Sequence, residues 1–314
     1  MTRSSSGENL RTFVVVNPTS ASGATGRRWD RIAREVQRAV GPFEHAFTNA
    51  PQHATALTRK ALERGFEMVV AVGGDGTLNE VACGFFDGRR PVAPTAVLGI
   101  IPHGTGCDFS RTMGIGKTLG DACARLSGRR GRVIDVGNVR FIDHGDRSGE
   151  RVFVNVVSFG CGGAVAHAMT SATKRIGGKL AFMVTTARTL LRYEDQTVTV
   201  AVDDGTPEHM RITSYAVCNA QYFGGGMWVA PSGEVDDGRL DATIWAGFDL
   251  KDFILKRRSL YDGTHVHDPG TRILQVKKVV ATSEERVLLD VDGESVGRLP
   301  VTIEIFPGAL HFKV

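Results

Sequence analysis

Three glycine-rich turns hold the residues that could do chemistry in this chain. The first is VVAVGGDGTLNEV, Val69 to Val81, where an apolar run stops at Gly73-Gly74, yields Asp75, and passes through Gly76-Thr77 into an amphipathic segment. Glycines there would let the backbone take positive φ and come close to a ligand. Turned amides at a strand end beside a helix start form an anion site. A carboxylate repels phosphate, so Asp75 implies a nucleotide with Mg²⁺ between them, or an aspartate that holds a sugar hydroxyl. The plainer alternative is a tight strand–helix turn with Asp75 as an Asx-turn residue. The second turn is PHGTGCDF, Pro102 to Phe109, with Asp108 opening a helix, either as a functional group or as its N-cap. Two such turns at the ends of neighbouring strands would line one crevice. The third is VNPTSASGATGRR, Val16 to Arg28. Arg27 and Arg28 at a helix start oppose its dipole, which a nearby anion would offset.

Two acidic motifs follow in the C-terminal half. In APSGEVDDGRLD, Glu234, Asp236, Asp237 and Asp241 crowd together after Gly224-Gly225-Gly226. They read either as a solvated hairpin turn around Asp237-Gly238 or as an oxygen cage for a divalent cation. In LLDVDGESVGRL, Asp292-Gly293 reads as a hairpin turn, and Glu294 one residue on could serve as a general base. Other patterns mislead. Gly116-Lys117-Thr118 ends like a phosphate loop, but Arg111 stands where its first glycine is required, and Asn79 breaks a GxGxxG after Gly74 and Gly76. His265 and His267 read as loop polarity rather than metal ligands.

The elements around these motifs come in two grammars. From about residue 11 to 137 the pattern is strand, loop, helix: Phe13–Val16, a helix face of Trp29, Ile32, Val36 and Val40, a second helix marked by Ala54, Leu57 and Ala61, then Met68–Val72, a helix with Leu78, Val81, Ala82 and Phe85, and Ala96–Ile101. Strands that are apolar throughout and alternate with helices predict a parallel sheet covered on both faces. From 138 to 305 apolar residues alternate with period two, at Val198, Val200, Val202, at Val287, Leu289, Val291, and at Val301, Ile303, Ile305, which predicts antiparallel hairpins. A helical stretch over about 164–192 interrupts them, with a break expected at Gly177-Gly178. Residues 1–10 read as a disordered polar tail. Ligands would sit in a cleft between the two domains.

Composition bounds the class. The 314 residues are 42% hydrophobic and 23% charged, as in a globular protein, and the net charge of +4 is too mild for nucleic acid, while it suits an acidic ligand or an anionic membrane surface. Five scattered cysteines without a CxxC pair read as reduced thiols of a cytoplasmic protein. No apolar run of about 18 residues is present, so membrane contact would be peripheral.

Taken in order, NPTSASG, VGGDGTLNEV, PHGTGCDF, YFGGGMWVAPSGEVDDGRLD and LDVDGE resemble the diacylglycerol kinase catalytic domain family, which includes sphingosine and ceramide kinases and bacterial lipid kinases. The resemblance runs from residue 13 to the C-terminus. It implies an ATP-binding α/β domain like that of NAD kinases and phosphofructokinases, and a C-terminal antiparallel β-sandwich for the lipid, with 306–314 returning to the first domain and His311–Val314 packing there. It implies ATP contacts at Asn17, Thr48, Gly73, Gly74, Asp75, Gly76, Thr77, Asn79 and Thr105. Asp75 and Asp108 would join a polar network at the phosphates, Glu294 would accept the proton with Asp292 beside it, and Mg²⁺ would sit at Glu234, Asp237 and the main-chain carbonyl of Arg239. Cys107 departs from the family's GTxND, where asparagine is usual, and a thiol cannot reproduce the amide's hydrogen bonds.

The reaction expected from the resemblance is transfer of the ATP γ-phosphate to a lipid hydroxyl, diacylglycerol first, at a membrane surface. Phe159, Met169, Phe182, Met183 and Phe223 are candidates to line an acyl pocket or to be core. A soluble acceptor, as in NAD kinases, and a silent nucleotide- or lipid-binding protein are the alternatives. A homodimer stays open.

Overall fold

The computed structural model describes residues 9–104, 106–116, 118–129, 131–169 and 178–314. It falls into two compact units. One holds the chain up to Gly104 with Met113–Ile134 and Ala309–Val314, and the other holds Thr105–Thr112 and Asp135–Gly308.

The first unit is built on a parallel sheet. Its strands are Thr12–Val16, Phe43–Phe47, Met68–Gly73 and Val97–Pro102. Phe43–Phe47 pairs with one edge of Thr12–Val16 and Met68–Gly73 with the other, so the chain changes direction across the sheet between its first and third strands. Val97–Pro102 lies beside Met68–Gly73, and His311 and Phe312 pair in parallel with Val97 and Leu98 on the outer side. The inner strands are buried on both faces, as their unbroken apolar runs require. Helix Trp29–Val40 buries Trp29, Ile32, Val36 and Val40 against Val14, Val16, Val70 and Val72. Full burial of such a side chain contributes about 1.5–3 kcal/mol. Helix His53–Glu63 buries Ala54, Thr58, Ala61 and Leu62, while Leu57 is only half-buried. Leu10, read as part of a disordered tail, is buried in this core; residues 1–8 of that tail lie outside the described residues.

The second unit is antiparallel β-structure. Its central run is Thr271–Val276, Leu240–Trp245, Ser214–Cys218, Val156–Gly160, Leu288–Val291 and the last strand, Glu294–Phe312. Gln196–Val202 pairs with Glu208–Ile212 and with Lys278–Thr282. Val198, Val200, Val287, Leu289, Val291, Val301, Ile303 and Ile305 share one core, so the period-two pattern marks the buried faces. Asp292 and Gly293, at φ 48° and 85°, connect Val291 to Glu294 as a two-residue hairpin turn. Asp237-Gly238 does not make a hairpin. The strand before it, Met227–Trp228, pairs with Tyr222–Phe223, and Leu240–Trp245 pairs elsewhere, so 229–239 is a loop. Helices Cys161–Ala168 and Gly178–Leu190 occupy the expected helical stretch; the Gly177 half of the expected break lies outside the described residues. His265 is buried beside Trp245, their ring centroids 5.7 Å apart, so the reading of both histidines as loop polarity holds only for the less buried His267. Among the described residues no helix is long and apolar enough to cross a membrane.

Lys313 is buried at 1% exposure, and its ammonium donates to the carbonyls of Ser127 (3.0 Å) and Gly128. Those carbonyls lie just beyond the C-cap of helix Leu119–Arg125, so the lysine ties the turn after that helix to the end of the last strand. Lys313→Met keeps the stem and removes the donors; it should cost about 1–3 kcal/mol, read as a lower urea midpoint.

Candidate active site

The nucleotide-type turns of the first unit meet where the strand order reverses. Asn17 directly follows Thr12–Val16, Gly73 ends Met68–Gly73, and helix Asp75–Gly84 starts two residues later. A ligand crevice forms at such a switch point, outside the carboxyl ends of the strands. Asn17 Nδ2 donates to Thr77 Oγ1 at 3.0 Å, and Asn17 Oδ1 accepts from the amide and hydroxyl of Thr19. The NPT loop and the GGDGT turn are therefore one assembly. Thr48, half-buried, follows strand Phe43–Phe47 and donates its amide to the Val16 carbonyl at 2.8 Å.

The glycines have a different reason from the one expected. Gly73, Gly74 and Gly76 do not have positive φ. What Gly73 requires is room: a Cβ there would stand 2.5 Å from Thr77 Oγ1. A Cβ on Gly74 would stand 3.5 Å from the Gly104 Cα, which sets the two glycine turns against each other. His103 completes the junction, with its amide donating to the Gly73 carbonyl at 2.8 Å and its Nδ1 2.7 Å from Thr25 Oγ1. Burial, then the Arg28 cation, lower the His103 pKa and favour the neutral ring.

The first bond inside helix Asp75–Gly84 runs from the Leu78 amide to the Gly74 carbonyl. The amides of Asp75, Gly76 and Thr77 precede it in the first turn, the part of a helix that presents donors to an anion. Asp75 opens this helix, where a carboxylate also favours the dipole. Asn79 is fully buried and accepts from the Cys83 thiol (3.7 Å). Thr105 lies outside the described residues.

In the second unit Asp108 begins the short helix Asp108–Thr112 and is 4% exposed. Its Oδ2 accepts the Gly225 amide at 2.8 Å, and Thr112 Oγ1 accepts the Gln221 amide at 3.1 Å. The Arg111 guanidinium lies 5.3 Å from the Tyr222 ring centroid. The GTGCD and GGG motifs, over a hundred residues apart, are thus joined. Gly224, Gly225 and Gly226 all have positive φ, from 66° to 105°, and here the left-handed backbone is the reason for glycine. Cys107 also has a positive φ, 52°. Asparagine tolerates that region far better than cysteine does, which accounts for the family's preference at this position.

Asp292 is 6% exposed and accepts three main-chain amides, from Val154 (3.0 Å), Asn155 (3.1 Å) and Val156 (2.8 Å). This clamp fixes the turn that presents Glu294, whose carboxylate pairs with Arg151 at 2.8 Å. Beside it, Ser295 Oγ lies 3.0 Å from His144 Nε2 and 3.2 Å from His167 Nδ1. Arg151, His144 and His167 are not legible as site residues in the sequence, since no local pattern ties them to a residue more than a hundred positions away. Behind the turn Asp290 is 1% exposed, with Ser158 Oγ at 3.2 Å. Burial first, then the Asp292 charge, push its carboxyl well above the usual range.

Glu234 and Asp237 are exposed on the 229–239 loop, and Asp237 Oδ1 accepts the Arg239 amide at 2.9 Å. The loop is anchored by Asp135, whose two oxygens accept the Gly238 (2.7 Å) and Gly308 (2.6 Å) amides. Asp241 is buried, and its carboxyl is pushed up to about 6 by burial, then by Asp237 and Glu234. Among the described residues no three metal-type side chains stand close enough to hold an ion by themselves. Main-chain carbonyls and water would have to complete a cage, and an all-oxygen set of that kind suits Mg²⁺. Of the acyl-pocket candidates, Phe159 is core, stacked on Tyr215 at 4.8 Å, and Met169, Phe182 and Phe223 pack partly buried on a second cluster, while Met183 is half-buried.

Comparison with known proteins gives the family. Residues 11–139 match the diacylglycerol kinase catalytic domain, and residues 155–314, half of the chain, match the YegS C-terminal NAD kinase beta sandwich-like domain. The chain belongs to the diacylglycerol kinase catalytic domain family. It is 26% identical over 291 residues to the diacylglycerol kinase of Bacillus subtilis (strain 168), covering 92% of this chain and 91% of that one. A "Probable lipid kinase YegS-like" of Chromohalobacter salexigens is 28% identical over 287 residues, covering 88% and 87%. A crystal structure of a diacylglycerol kinase from Bacillus anthracis str. Sterne has the same fold, with a TM-score of 0.72 at 20% identity, covering 99% of this chain and 98% of that one. As a lipid kinase of this family, the chain has the parallel-sheet α/β and β-sandwich-like architecture expected, and family membership implies ATP use.

Two consequences can be measured. Cys107→Asn relieves the left-handed backbone and should raise stability by about 0.5–1 kcal/mol, seen as a higher urea midpoint. For Asp241 the folded pKa lies above the unfolded value, so its contribution is fully present below about pH 4 and lost as pH rises through about 6. Asp241→Asn should therefore be more stable than the parent by about 1–3 kcal/mol near pH 8, with the gap closing near pH 4, in urea titrations at both.

Proposed function

We propose that this kinase transfers the γ-phosphate of ATP to the hydroxyl of a lipid, with diacylglycerol as acceptor and phosphatidic acid as product. The observation that carries the reading is the helix start at the switch point, where the first-turn amides of Asp75, Gly76 and Thr77 stand at the crevice that the Asn17–Thr77 bond shapes. Such amides suit the phosphates of ATP. Asn17, Thr48, Gly73, Gly74 and Thr105 complete the nucleotide side. Asn79, being buried, would act by holding the turn. The relatives' names favour a lipid acceptor, and among them diacylglycerol.

In the step itself, Glu294 takes the proton of the lipid hydroxyl. The lipid oxygen bonds to the γ-phosphorus as the bond to the β–γ bridging oxygen breaks, and ADP leaves. Arg151 orients the Glu294 carboxylate, and Asp292 fixes the turn beneath it. Asp75 and Asp108 belong to the polar frame around the phosphates, Asp108 through the Gly225 amide. Glu234, Asp237 and the Arg239 carbonyl would hold Mg²⁺, which when bound offsets the negative charge that these side chains bring near Asp241.

Labelled γ-phosphate transfer to diacylglycerol, sphingosine, ceramide and monoacylglycerol in mixed micelles tests the reading. Diacylglycerol should give a phospholipid product. Glu294→Gln should lower kcat by at least about a hundredfold and leave the ATP Kd within about twofold. Loss of ATP binding in that variant would make Glu294 structural. Product from a soluble acceptor, and from none of the lipids, would overturn the proposal.

A further inference from the structure

Five of the eight exposed large apolar side chains among the described residues lie in two stretches of the second unit: Leu180, Val184 and Leu191, and Ile254 and Leu255. Ile254 is 63% exposed and Leu255 80%. The first stretch is helix Gly178–Leu190 and its end; the second is helix Leu250–Leu255, followed by Arg257–Asp262. The helices Gly178–Leu190 and Leu250–Leu255 touch, and their inner residues Leu190 and Phe253 enter one core with Leu260 of helix Arg257–Asp262. The apolar residues left outside are therefore those the core has no use for.

Charge is concentrated in the same place. Residues 180–192 and 250–262 carry six lysines and arginines against two aspartates, a net +4, as much as the whole chain. Ile254, Leu255, Arg257, Arg258, Tyr261 and Asp262 line a groove of about 560 Å³. The Arg258–Asp262 pair is loose, at 3.8 Å, and Arg258 is 95% exposed, so its guanidinium can engage another anion.

We propose that this helix pair is a docking surface for an anionic phospholipid bilayer. The inference rests on the lipid kinase reading, and it names the face by which the chain would reach its acceptor. Ile254 and Leu255, with Leu180, Val184 and Leu191, enter the boundary between headgroups and acyl chains, and Arg257 and Arg258 pair with lipid phosphates in the groove beside them. A second copy of this face would set like charge against like charge. Nucleic acid would leave the apolar residues in water.

Co-sedimentation with phosphatidylcholine vesicles, with and without phosphatidylglycerol, tests the surface on the full chain. The wild type should bind the phosphatidylglycerol vesicles preferentially, and less so in high salt. The double variant Ile254→Asp/Leu255→Asp should lower partition at least about tenfold. Arg257→Glu/Arg258→Glu should lower it by about fivefold or more for each arginine lost. Thermal unfolding should be unchanged, because these side chains are exposed; if the double variant does not fold, Leu255→Ser at the most exposed position replaces it. Phosphorylation of a short-chain diacylglycerol dissolved as monomers should stay within about twofold of wild type, while phosphorylation of a long-chain one in vesicles falls with partition.

Wild-type indifference to phosphatidylglycerol, or equal partition of the variants, would overturn the proposal. So would a change of oligomeric state in the variants by sedimentation velocity, because the face would then cover a second copy. If no lipid is phosphorylated at all, the kinase reading fails, and vesicle partition still decides the surface.

Discussion

The hydrogen bond from Asn17 to Thr77 is the constraint on which the nucleotide side depends. It joins the end of the first strand to the first turn of a helix sixty residues later. That bond exists only because Thr77 folds back over Gly73, and Thr77 can fold back only because Gly73 lacks a Cβ. The same turn lies against Gly104 and is tied by its Gly73 carbonyl to His103. A crevice proposed to accept phosphate gains from amides held still before the ligand arrives, since ordering them at binding would cost affinity. Here the ordering is done by side chains packed behind the turn, which leaves the ligand side to the main chain.

The second unit uses carboxylates in the complementary way. Asp292 accepts three amides, Asp135 two, and Asp108 one, and each ties together segments distant in sequence. Main-chain amides that donate to a carboxylate favour its charged form where burial opposes it. The outcome is a set of fixed turns whose neighbours are the residues proposed for chemistry, Glu294 after Asp292 and the Glu234–Arg239 loop beside Asp135. Glu294, Glu234 and Asp237 keep more exposure than the buried aspartates Asp292 and Asp135 that fix their turns.

This division explains what could be read in advance. The fold was legible because its signals are local: unbroken apolar runs for Thr12–Val16 and Met68–Gly73, helical spacing in Trp29–Val40, period two at Val287, Leu289 and Val291, and a left-handed Asp292-Gly293 turn. The site motifs were legible for the same reason, since each is a turn with its own composition. What was not legible is what joins them. Asp237-Gly238 has the composition of a hairpin turn, yet the strand before it pairs elsewhere, and pairing is a tertiary fact. The Arg151 partner of Glu294, the Asp135 anchor and the burial of His265 all depend on contacts between distant segments. The glycines of the GGDGT turn are required for a different reason from the one expected, close packing in place of positive φ.

For the proton acceptor proposed at Glu294, the Arg151 pair bears on how much the carboxylate must do. In phosphoryl transfer through a loose transition state, charge gathers on the transferred oxygens, and catalysis is mostly placement and electrostatics. The nucleophile's proton need leave only as its bond to phosphorus forms. A carboxylate in that role gains more from being held at one angle to the hydroxyl than from being a strong base. Arg151, 13% exposed, holds the Glu294 carboxylate from a strand, a rigid support, while the Asp292 clamp fixes the turn before it. Glu294 is restrained from both sides, by an ion pair on its side chain and by three amides on the residue two positions before it. The restraint lies within the second unit, as the Asn17–Thr77 bond lies within the first.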